Sequence, residues 1–484
     1  MYVYLSHKYA IRNELNCSYF IKVESTTDNE GGSFGSFCIP PFMGYILAHI
    51  GDLEYDSSLA KIADNIGIGK DSVKNFVNQL IDNTQPKNFI LGENFSIILP
   101  SCLLCKADNK QKSNVFEIAS YSPENDFYIK RPTMPLSVNL MITTKCTTDC
   151  IYCYANRSLS PIMDTGTILD VIQQLYRGGT INITLTGGDI FTRSDWKIIL
   201  KKLKDLGYSP YISTKTPISE NDIIFLKQLQ YNEIQFSLDS NNETTLTKMV
   251  KPPLNYLSKV KEFLNNAGKL GMKVLIRTVL TSFNSDIEQI RDFYEFLSSH
   301  DAIKSWDLTP AFFSKYKSSF YKKMAVCNDN LKQVYNFTKR EDLVFSPGLN
   351  KIGPEGYVLK KHDNVDEFVH KNQTCMANTT SLSILANGDC SVCEMLYDDE
   401  EFLLGNIHSN SIEEIWNSPK ALSLYSLKQE NVCKGSPCKT CNVFEECRNK
   451  HGKKICYLDI TKTGKKLDYP DPRCPKSDDY NIIF

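Results

Sequence analysis

The sequence predicts an α/β protein built around a barrel or part of one, with a small α+β unit before it and a cysteine-rich region after it. Three observations carry that prediction. Strands and helices alternate from about residue 135 to 310. The first 100 residues read as short strands, a helical hairpin and a closing strand. Cysteines number 17 and are spread unevenly, nine of them beyond residue 370. The 484 residues suit about three domains of roughly 150 residues each.

Composition excludes several classes. A hydrophobic fraction of 42% and a charged fraction of 23% are ordinary for a globular chain, which at this length folds without disulfides. A net charge of −1 gives no global attraction to nucleic acid or to a membrane surface. MYVYLSHKYAIRNEL has no basic start followed by an apolar run, so no secretory signal is read there. No apolar stretch approaches the roughly 20 residues of a membrane span. The expected location is the cytoplasm, where clustered cysteines more often bind metal or do redox work than form disulfides.

MYVYL and CSYFIKVES alternate apolar and polar residues, as half-buried strands do. SFGSFCIP reads as a third strand ended by prolines. FMGYILAHIGD, SLAKIADNIGI and KDSVKNFVNQLIDN read as helices. Gly67-Ile68-Gly69 turns into the last of them, with Asp71 as its N-cap. FSIIL closes the unit, and residues 1–100 in this order resemble a winged helix. Residues 101–134 read as a linker.

Between 135 and 310, LSVNLMI, INITLTG, SPYISTK, NEIQFSLD, KVLIRTVLT and KSWDLTP are candidate strands. Several are continuous apolar runs, which suit a buried parallel sheet. DWKIILKKLKDLG and LSKVKEFLNNAGKLG are helices between them. Six such steps make a partial (β/α)6 TIM-like barrel. Residues 311–370 read as a helical connector. Residues 371–484 form a domain rich in Cys, Gly, Asn and Asp that needs metal to order it.

The first barrel strand ends in LMITTKCTTDCIYCYAN. The spacing Cys146-x3-Cys150-x2-Cys153, with Tyr152 before the last cysteine, puts three thiolates on one loop. Three thiolates hold three irons of a [4Fe–4S] cluster and leave the fourth open. A zinc site wants a fourth protein ligand nearby. The motif resembles that of the radical S-adenosylmethionine (SAM) enzymes, over roughly residues 135–310. The resemblance implies that the open iron is chelated by SAM, whose reductive cleavage gives a 5′-deoxyadenosyl radical that abstracts hydrogen. Thr186-Gly187-Gly188-Asp189 resembles the family's Gly-Gly-Glu, with Asp in place of Glu, and would receive the SAM amino group. Ser213-Thr214-Lys215 ends the third strand, where relatives place groups for SAM's carboxylate or ribose. Ser237-Leu238-Asp239 ends the fourth and is similar to the family's Ser-Leu-Asp. Arg277 lies on the fifth strand, with Asn284 just beyond. Barrel active sites sit at such strand ends. The SAM-binding candidates are therefore Gly187, Gly188, Asp189, Ser213, Thr214, Ser237, Asp239, Arg277 and Tyr152, and no residue is singled out as catalytic.

The tail holds Cys375, then Gly388-x4-Cys393, then Cys438-x2-Cys441-x5-Cys447, and finally Cys456 and Cys474. This resembles the SPASM extension of radical SAM enzymes, whose two auxiliary [4Fe–4S] clusters bring the implied total to three. The resemblance implies Cys438, Cys441, Cys447 and Cys474 for the second auxiliary cluster. It implies Cys375 and Cys393 with a later cysteine for the first. Many relatives carry a further cysteine where this chain has His451, so Cys456 is the natural substitute, with Cys390 and Cys433 as other candidates and a cluster with one open iron as the remaining alternative. Zinc would accept the same thiolates. Cys17, Cys38, Cys102, Cys105 and Cys327 fall outside every cluster, with Cys102-x2-Cys105 open as a metal or redox pair. From Arg448 to Lys466 seven Lys or Arg stand against one acid, Asp459, a run that reads as a solvated face.

The first 100 residues carry 7 Lys plus Arg against 11 Asp plus Glu, a balance of −4 that disfavours DNA. The unit resembles instead the precursor-peptide recognition element of enzymes that modify ribosomally made peptides. In that family an extended leader adds as a strand to an exposed edge. The expected groove lies between the strand Ser33–Ile39 and the helix Lys70–Asp82. The resemblances together imply a radical SAM/SPASM maturase of a ribosomally synthesised peptide, forming a crosslink, first of all a thioether of the sactipeptide or ranthipeptide type. Its partners would be the precursor peptide and an electron donor such as flavodoxin or ferredoxin, with no nucleic acid and no membrane. The alternatives are carbon–carbon crosslinking, epimerisation, oxidation of a Cys or Ser as in sulfatase maturation, and, outside catalysis, an iron–sulfur winged-helix regulator.

Overall fold

The computed structural model describes residues 1–22, 36–92, 95–124, 126–127, 131–155, 157–314, 318–340, 342–357, 361–397, 399–449 and 453–479. They fall in two compact units, Met1–Leu136 with Leu175–Asn182, and Ser137–Gln174 with Ile183–Phe484.

In the first unit β1 (Tyr2–Leu5), β2 (Tyr9–Asn13), β3 (Ser18–Lys22) and β4 (Ser36–Ile39) precede α1 (Pro41–His49), α2 (Tyr55–Ile66) and α3 (Lys70–Asn78). β5 (Lys87–Gly92) and β6 (Phe95–Leu99) form an antiparallel hairpin, and β7 (Leu104–Ala107) and β8 (Asn114–Glu117) follow. β2, β3 and β4 make an antiparallel meander, and β8 adds parallel to β2. The order β4-β3-β2-β8 leaves β4 at an edge. β7 pairs with β1. Residues 101–134 are therefore more than the expected linker, because their strands complete two sheets of this unit. β2 escaped the sequence reading because YAIRN is buried at all five positions and shows no alternation.

Arg12 on β2 is fully buried. Its guanidinium donates to the carbonyls of Met134 (3.1 Å) and Gly179 (3.2 Å) and to Thr133 Oγ1 (3.0 Å), and pairs with Glu14 at 2.8 Å. These bonds fasten 131–136 and 175–182 to the N-terminal sheet. α2 buries Leu59, Ile62, Ala63 and Ile66 on one stripe and stops at Gly67, whose φ of 69° is left-handed. The N-cap of α3 is Gly69, without a side-chain bond, and not Asp71; Asp71 lies inside the first turn, where its charge still suits the helix dipole. α3 ends at Asn78, short of the expected Asp82. Within the expected strand Ser33–Ile39, residues 33–35 lie outside the described residues, as do Val23, Glu24, Ser25 and His451.

The second unit runs β9 (Ser137–Met141), α4 (Thr165–Arg177), β10 (Asn182–Thr186), α5 (Trp196–Asp205), β11 (Ser213–Thr214), α6 (Glu220–Gln228), β12 (Glu233–Ser237), α7 (Glu243–Val250), α8 (Tyr256–Lys269), β13 (Lys273–Leu280), α9 (Ile287–Ser298) and β14 (Ile303–Pro310). Then come α10 (Ser318–Met324), α11 (Asn328–Thr338), β15 (Gly348–Leu349), β16 (Ile352–Gly353), β17 (Gly356–Tyr357) and α12 (Val365–Lys371). The tail adds β18 (Ser381–Ile384), β19 (Asp389–Ser391), β20 (Leu403–Asn406), α13 (Ile412–Trp416), α14 (Pro419–Tyr425), α15 (Phe444–Arg448) and α16 (Tyr457–Lys462). No helix among the described residues is long and apolar enough to cross a membrane.

Strands and helices alternate as expected, but the ladder is not continuous. One sheet has the order β10-β9-β18-β19-β20 and the other β11-β12-β13-β14-β15. β11 is only two residues long, because Pro210 and Pro217 flank it and cannot donate to a ladder. β18, from the cysteine-rich region, pairs parallel with β9. In the second sheet β11 to β15 are all parallel. Its apolar face carries Phe236, Ile276 and Trp306; Phe236 meets Phe263 of α8 (5.0 Å) and Trp306 meets Phe293 of α9 edge-on (5.4 Å). Gln235, Ser237, Arg277 and Asp307 alternate onto the opposite face, and Ser237, Arg277 and Asp307 stand in register there.

Candidate functional site

Cys146, Cys150 and Cys153 lie on the loop after β9. The loop is pinned from both sides. Asp149 N donates to Val250 O (2.8 Å) and Ile151 N to Met249 O (2.9 Å), both at the end of α7. Arg157 donates to Thr148 O at 2.7 Å, and Lys251 pairs with Asp149 at 3.0 Å. The Thr148 hydroxyl stands 3.5 Å from both Cys146 Sγ and Cys150 Sγ. Burial pushes the Cys150 thiol up to about 11.

The Gly-Gly-Asp run after β10 lies directly against the segment leading to Cys146. Gly188 N donates to Thr143 O (2.9 Å) and Asp189 N to Lys145 O (2.8 Å). A Cβ on Gly188 would come within 2.0 Å of Lys145 O, and one on Gly187 within 2.5 Å of Thr143 O. The glycines are thus required by backbone packing, whatever binds beside them. Asp189 is 3% exposed. Its Oδ2 accepts from Thr214 Oγ1 (2.7 Å), Lys215 N (2.9 Å), Thr216 N (3.1 Å) and Thr216 Oγ1 (2.9 Å), and its Oδ1 from Phe191 N (3.1 Å). The carboxylate spans the break between β10 and β11. Thr216 continues the chain of bonds to Thr147 on the cysteine loop (3.0 Å).

A second network joins the cysteine loop to β12. Tyr152 donates to Asp239 Oδ2 (2.5 Å), and Lys215 Nζ donates to Asp239 Oδ2 (2.7 Å), Tyr152 Oη (3.0 Å) and Ser237 O (3.3 Å). Asp239 Oδ1 accepts from Val279 N, and its carbonyl from Asn284 Nδ2. Burial pulls the Lys215 ammonium down, but Asp239 and the nearby thiols outweigh it and hold the proton on more firmly than usual. Burial, then Asp239, keep Tyr152 protonated.

Of the predicted SAM contacts, Tyr152, Asp189, Thr214 and Asp239 are thus brought together with Lys215 around the cysteine loop. Ser213 and Ser237 meet through Gln235 (2.5 and 2.8 Å). Arg277 stands apart, 56% exposed, 3.8 Å from Asp307 and over the Tyr211 ring. Lys215, which closes the Ser213-Thr214-Lys215 run, is not among the predicted SAM contacts, although its ammonium sits in this network. Tyr154 and Glu394 were passed over too. They follow Cys153 and Cys393 and hydrogen-bond to each other, and burial raises the Glu394 carboxyl.

The C-terminal cysteines gather in two sets. Cys438, Cys441, Cys447 and Cys474 line one cavity with Phe368, Phe444 and Arg448. Burial raises Cys447 to about 12 and Cys474 to about 11, and neighbouring thiols of the set add to both. In the other set Cys375 acts on Cys393, which burial brings to about 12, and on Cys456, which burial also raises. Cys390 is fully buried in β19, where only Asp389 adds to its burial. Cys433 faces Tyr469, with its N–H on Asp468. Cys102 and Cys105 lie in the first unit, Cys105 opposite Tyr4 on β7. Among the described residues no three His, Cys, Asp or Glu side chains close on a single-ion position. The second donor set fits iron–sulfur chemistry: its four thiols line one cavity whose burial would be unfavourable for bare thiolates, and a buried guanidinium faces Cys438.

The basic run is not the solvated face expected of it. Arg448 and Lys453 are buried, Lys453 donating to the carbonyls of Tyr425 and Arg448. Lys462 pairs with Asp459 (2.8 Å), and Lys454 reaches Thr374 (3.0 Å). Arg448, Lys453 and Lys454 satisfy backbone carbonyls of a region with little regular structure.

Residues 140–297 match the Radical SAM superfamily, and residues 375–442 match the SPASM iron–sulfur cluster-binding domain. The chain is 24% identical over 289 residues to GTP 3',8-cyclase of Lactiplantibacillus plantarum, covering 54% of this chain and 80% of that one. It is 24% identical over 307 residues to the antilisterial bacteriocin subtilosin biosynthesis protein AlbA of Bacillus subtilis, covering 60% of this chain and 62% of AlbA, less than two thirds of its length. The fold is similar to that of Streptococcus suis SuiB bound to its precursor peptide SuiA, with a TM-score of 0.63 over 98% of this chain and all of that one, at 14% identity. Residues 140–297 are thus a Radical SAM domain and residues 375–442 a SPASM iron–sulfur cluster-binding domain, and the cofactors that go with these two domains are S-adenosylmethionine and iron–sulfur clusters.

Proposed function

We propose that the chain is a maturase of a ribosomally made peptide, installing a crosslink and first of all a thioether. The observation that carries this is the edge strand β4 of an N-terminal unit, which among the described residues pairs only with β3, in the same chain as three sets of cysteines. The sheets of the second unit are read as an opened (β/α)6 barrel, and the first unit as a winged-helix-like leader-recognition unit. A leader adds to β4 through main-chain hydrogen bonds and packs towards α3. Support also comes from SuiB, solved with its precursor peptide, and from AlbA, which serves bacteriocin biosynthesis.

Cys146, Cys150 and Cys153 hold the SAM cluster. Cys375, Cys393 and Cys456 hold the first auxiliary cluster, and Cys438, Cys441, Cys447 and Cys474 the second. Bound there, SAM and its cluster supply a 5′-deoxyadenosyl radical. Gly187 and Gly188 give the ligand access to backbone, while Tyr152, Lys215 and Asp239 fix the cysteine loop against β12. Asp189 holds the end of β11. An electron donor of the flavodoxin or ferredoxin kind reduces the protein.

The test is anaerobic reconstitution with iron, sulfide, reductant and SAM. The intact protein is expected to release 5′-deoxyadenosine, and Cys150→Ala to release none. Added to a candidate precursor peptide, the enzyme is expected to remove two hydrogens per crosslink, read by mass. Incorporation of one deuterium from heavy water without loss of hydrogens would mean epimerisation instead. Release of 5′-deoxyadenosine with no change in that peptide would sink the crosslinking reading.

A further inference from the structure

Among the described residues, the second C-terminal cysteine set contains a cation with no carboxylate partner. Arg448, at the end of α15, is 3% exposed and lines the cavity of Cys438, Cys441, Cys447 and Cys474. Its guanidinium donates to the carbonyls of Leu467 and Tyr469 and, at 3.7 Å, to Cys438 Sγ, while Nε has no acceptor. Among the described residues no carboxylate pairs with it. Asp471, the carboxylate that lines the same cavity, is held by Arg473 at 2.7 and 2.8 Å and by Cys456 N at 2.8 Å. A guanidinium does not shed its proton in a protein. Burying one without an anion is strongly destabilising. The anions this cavity can offer are thiolates, and thiolates persist in an apolar cavity when metal holds them.

We propose that Arg448 is a positioning residue of the second auxiliary cluster, and that its N–H···S bond to Cys438 and its buried charge hold that cluster's reduction potential up. Hydrogen bonds to cluster sulfurs and the local charge are the protein's main levers on such potentials. Adding an electron makes the cluster more negative, and a fixed cation beside it favours that state. The proposal rests on these four cysteines holding an iron–sulfur cluster.

The full chain, anaerobically reconstituted, tests it. Redox titration followed by electron paramagnetic resonance gives the midpoint of each cluster, and the signal lost in Cys441→Ala marks the second auxiliary one. Cys441→Ala that loses neither iron nor a signal would refute the cluster itself, a failure separate from that of Arg448. In Arg448→Gln, poised at the wild-type midpoint, the reduced-to-oxidised ratio is expected to fall at least tenfold, about 59 mV for a one-electron couple. Arg448→Lys keeps the charge without the planar fork, and is expected to keep its iron and shift in the same direction by less. A midpoint unchanged or raised in the iron-loaded variants, or loss of the cluster from Arg448→Lys, overturns the proposal.

Discussion

Asp189 accepts from five protein donors at once, four of them on Thr214, Lys215 and Thr216. Replacing one carboxylate oxygen by an amide turns an acceptor into a donor facing donors. Asp189→Asn is therefore expected to lower the unfolding free energy by about 1–3 kcal/mol, measured by urea denaturation. Asp189→Glu restores the residue that relatives carry, but adds a methylene to a filled socket. It is expected to lose a similar amount, about 1–3 kcal/mol. Wild-type stability in both variants would mean that the carboxylate is free for a ligand. The Lys215–Asp239 pair is the companion case. Lys215→Met leaves a buried carboxylate with Tyr152 and Val279 N but no cation, at an expected cost of about 3–5 kcal/mol. Lys215→Met with Asp239→Asn is expected to cost less than the sum of the two single changes, which a double-mutant cycle measures.

Among the elements, the start of α5 depends on one ion pair. Arg193 forks onto Asp195 (2.7 and 2.5 Å), Thr165 donates to the same carboxylate, and Arg193 also reaches Ile142 O (2.8 Å) and Met163 O (3.1 Å). The hydrogen bonds from Arg193, then Thr165, hold the Asp195 carboxyl at about 2 against an ordinary 3.8. A folded value below the unfolded one means stability that is fully present above about pH 4 and is lost as pH falls towards 2, worth about 2 kcal/mol. Asp195→Asn is expected to lower stability at neutral pH by roughly that amount and to flatten the difference from wild type by pH 2, read from denaturant midpoints across pH. Steeper acid loss in the variant than in the wild type would contradict this. The strands around this helix were legible in the sequence, because buried parallel strands and amphipathic helices write different periods. The cysteine loop and the Gly-Gly-Asp run were legible because their spacing is local. Pairing was not legible. Nothing in Ser381–Ile384 says that β18 will lie beside β9, and the break at β11 comes from prolines that looked like ordinary punctuation. Lys215 and Glu394 stayed hidden because their partners, Asp239 and Tyr154, are far away in sequence.

Across the whole molecule, the 17 cysteines divide by burial and company rather than by spacing alone. Ten fall in three sets, and spacing alone left the third member of the first auxiliary set open among Cys390, Cys433 and Cys456. The fold separates these three. Cys390 is spent in the core of β19, Cys433 is turned to Tyr469, and Cys456 begins α16 with its N–H on Asp471, where Cys375 acts on its thiol. Three [4Fe–4S] clusters amount to about 12 irons per chain. Colorimetric iron analysis of the anaerobically reconstituted protein is expected to return about that number, with about four lost on removing any one set: Cys146 with Cys150, Cys375 with Cys456, or Cys438 with Cys441. Serine at Cys102, Cys105, Cys327 and Cys433 together is expected to leave the count and the visible absorption unchanged, because none of the four lines the cavity of Cys438, Cys441, Cys447 and Cys474. The decisive comparison is between single changes at the contested positions. If Cys433→Ser loses iron and Cys456→Ser does not, the first auxiliary set is completed from the loop at Asp468 and Tyr469, and the charge interaction between Cys375 and Cys456 has no cluster to explain it.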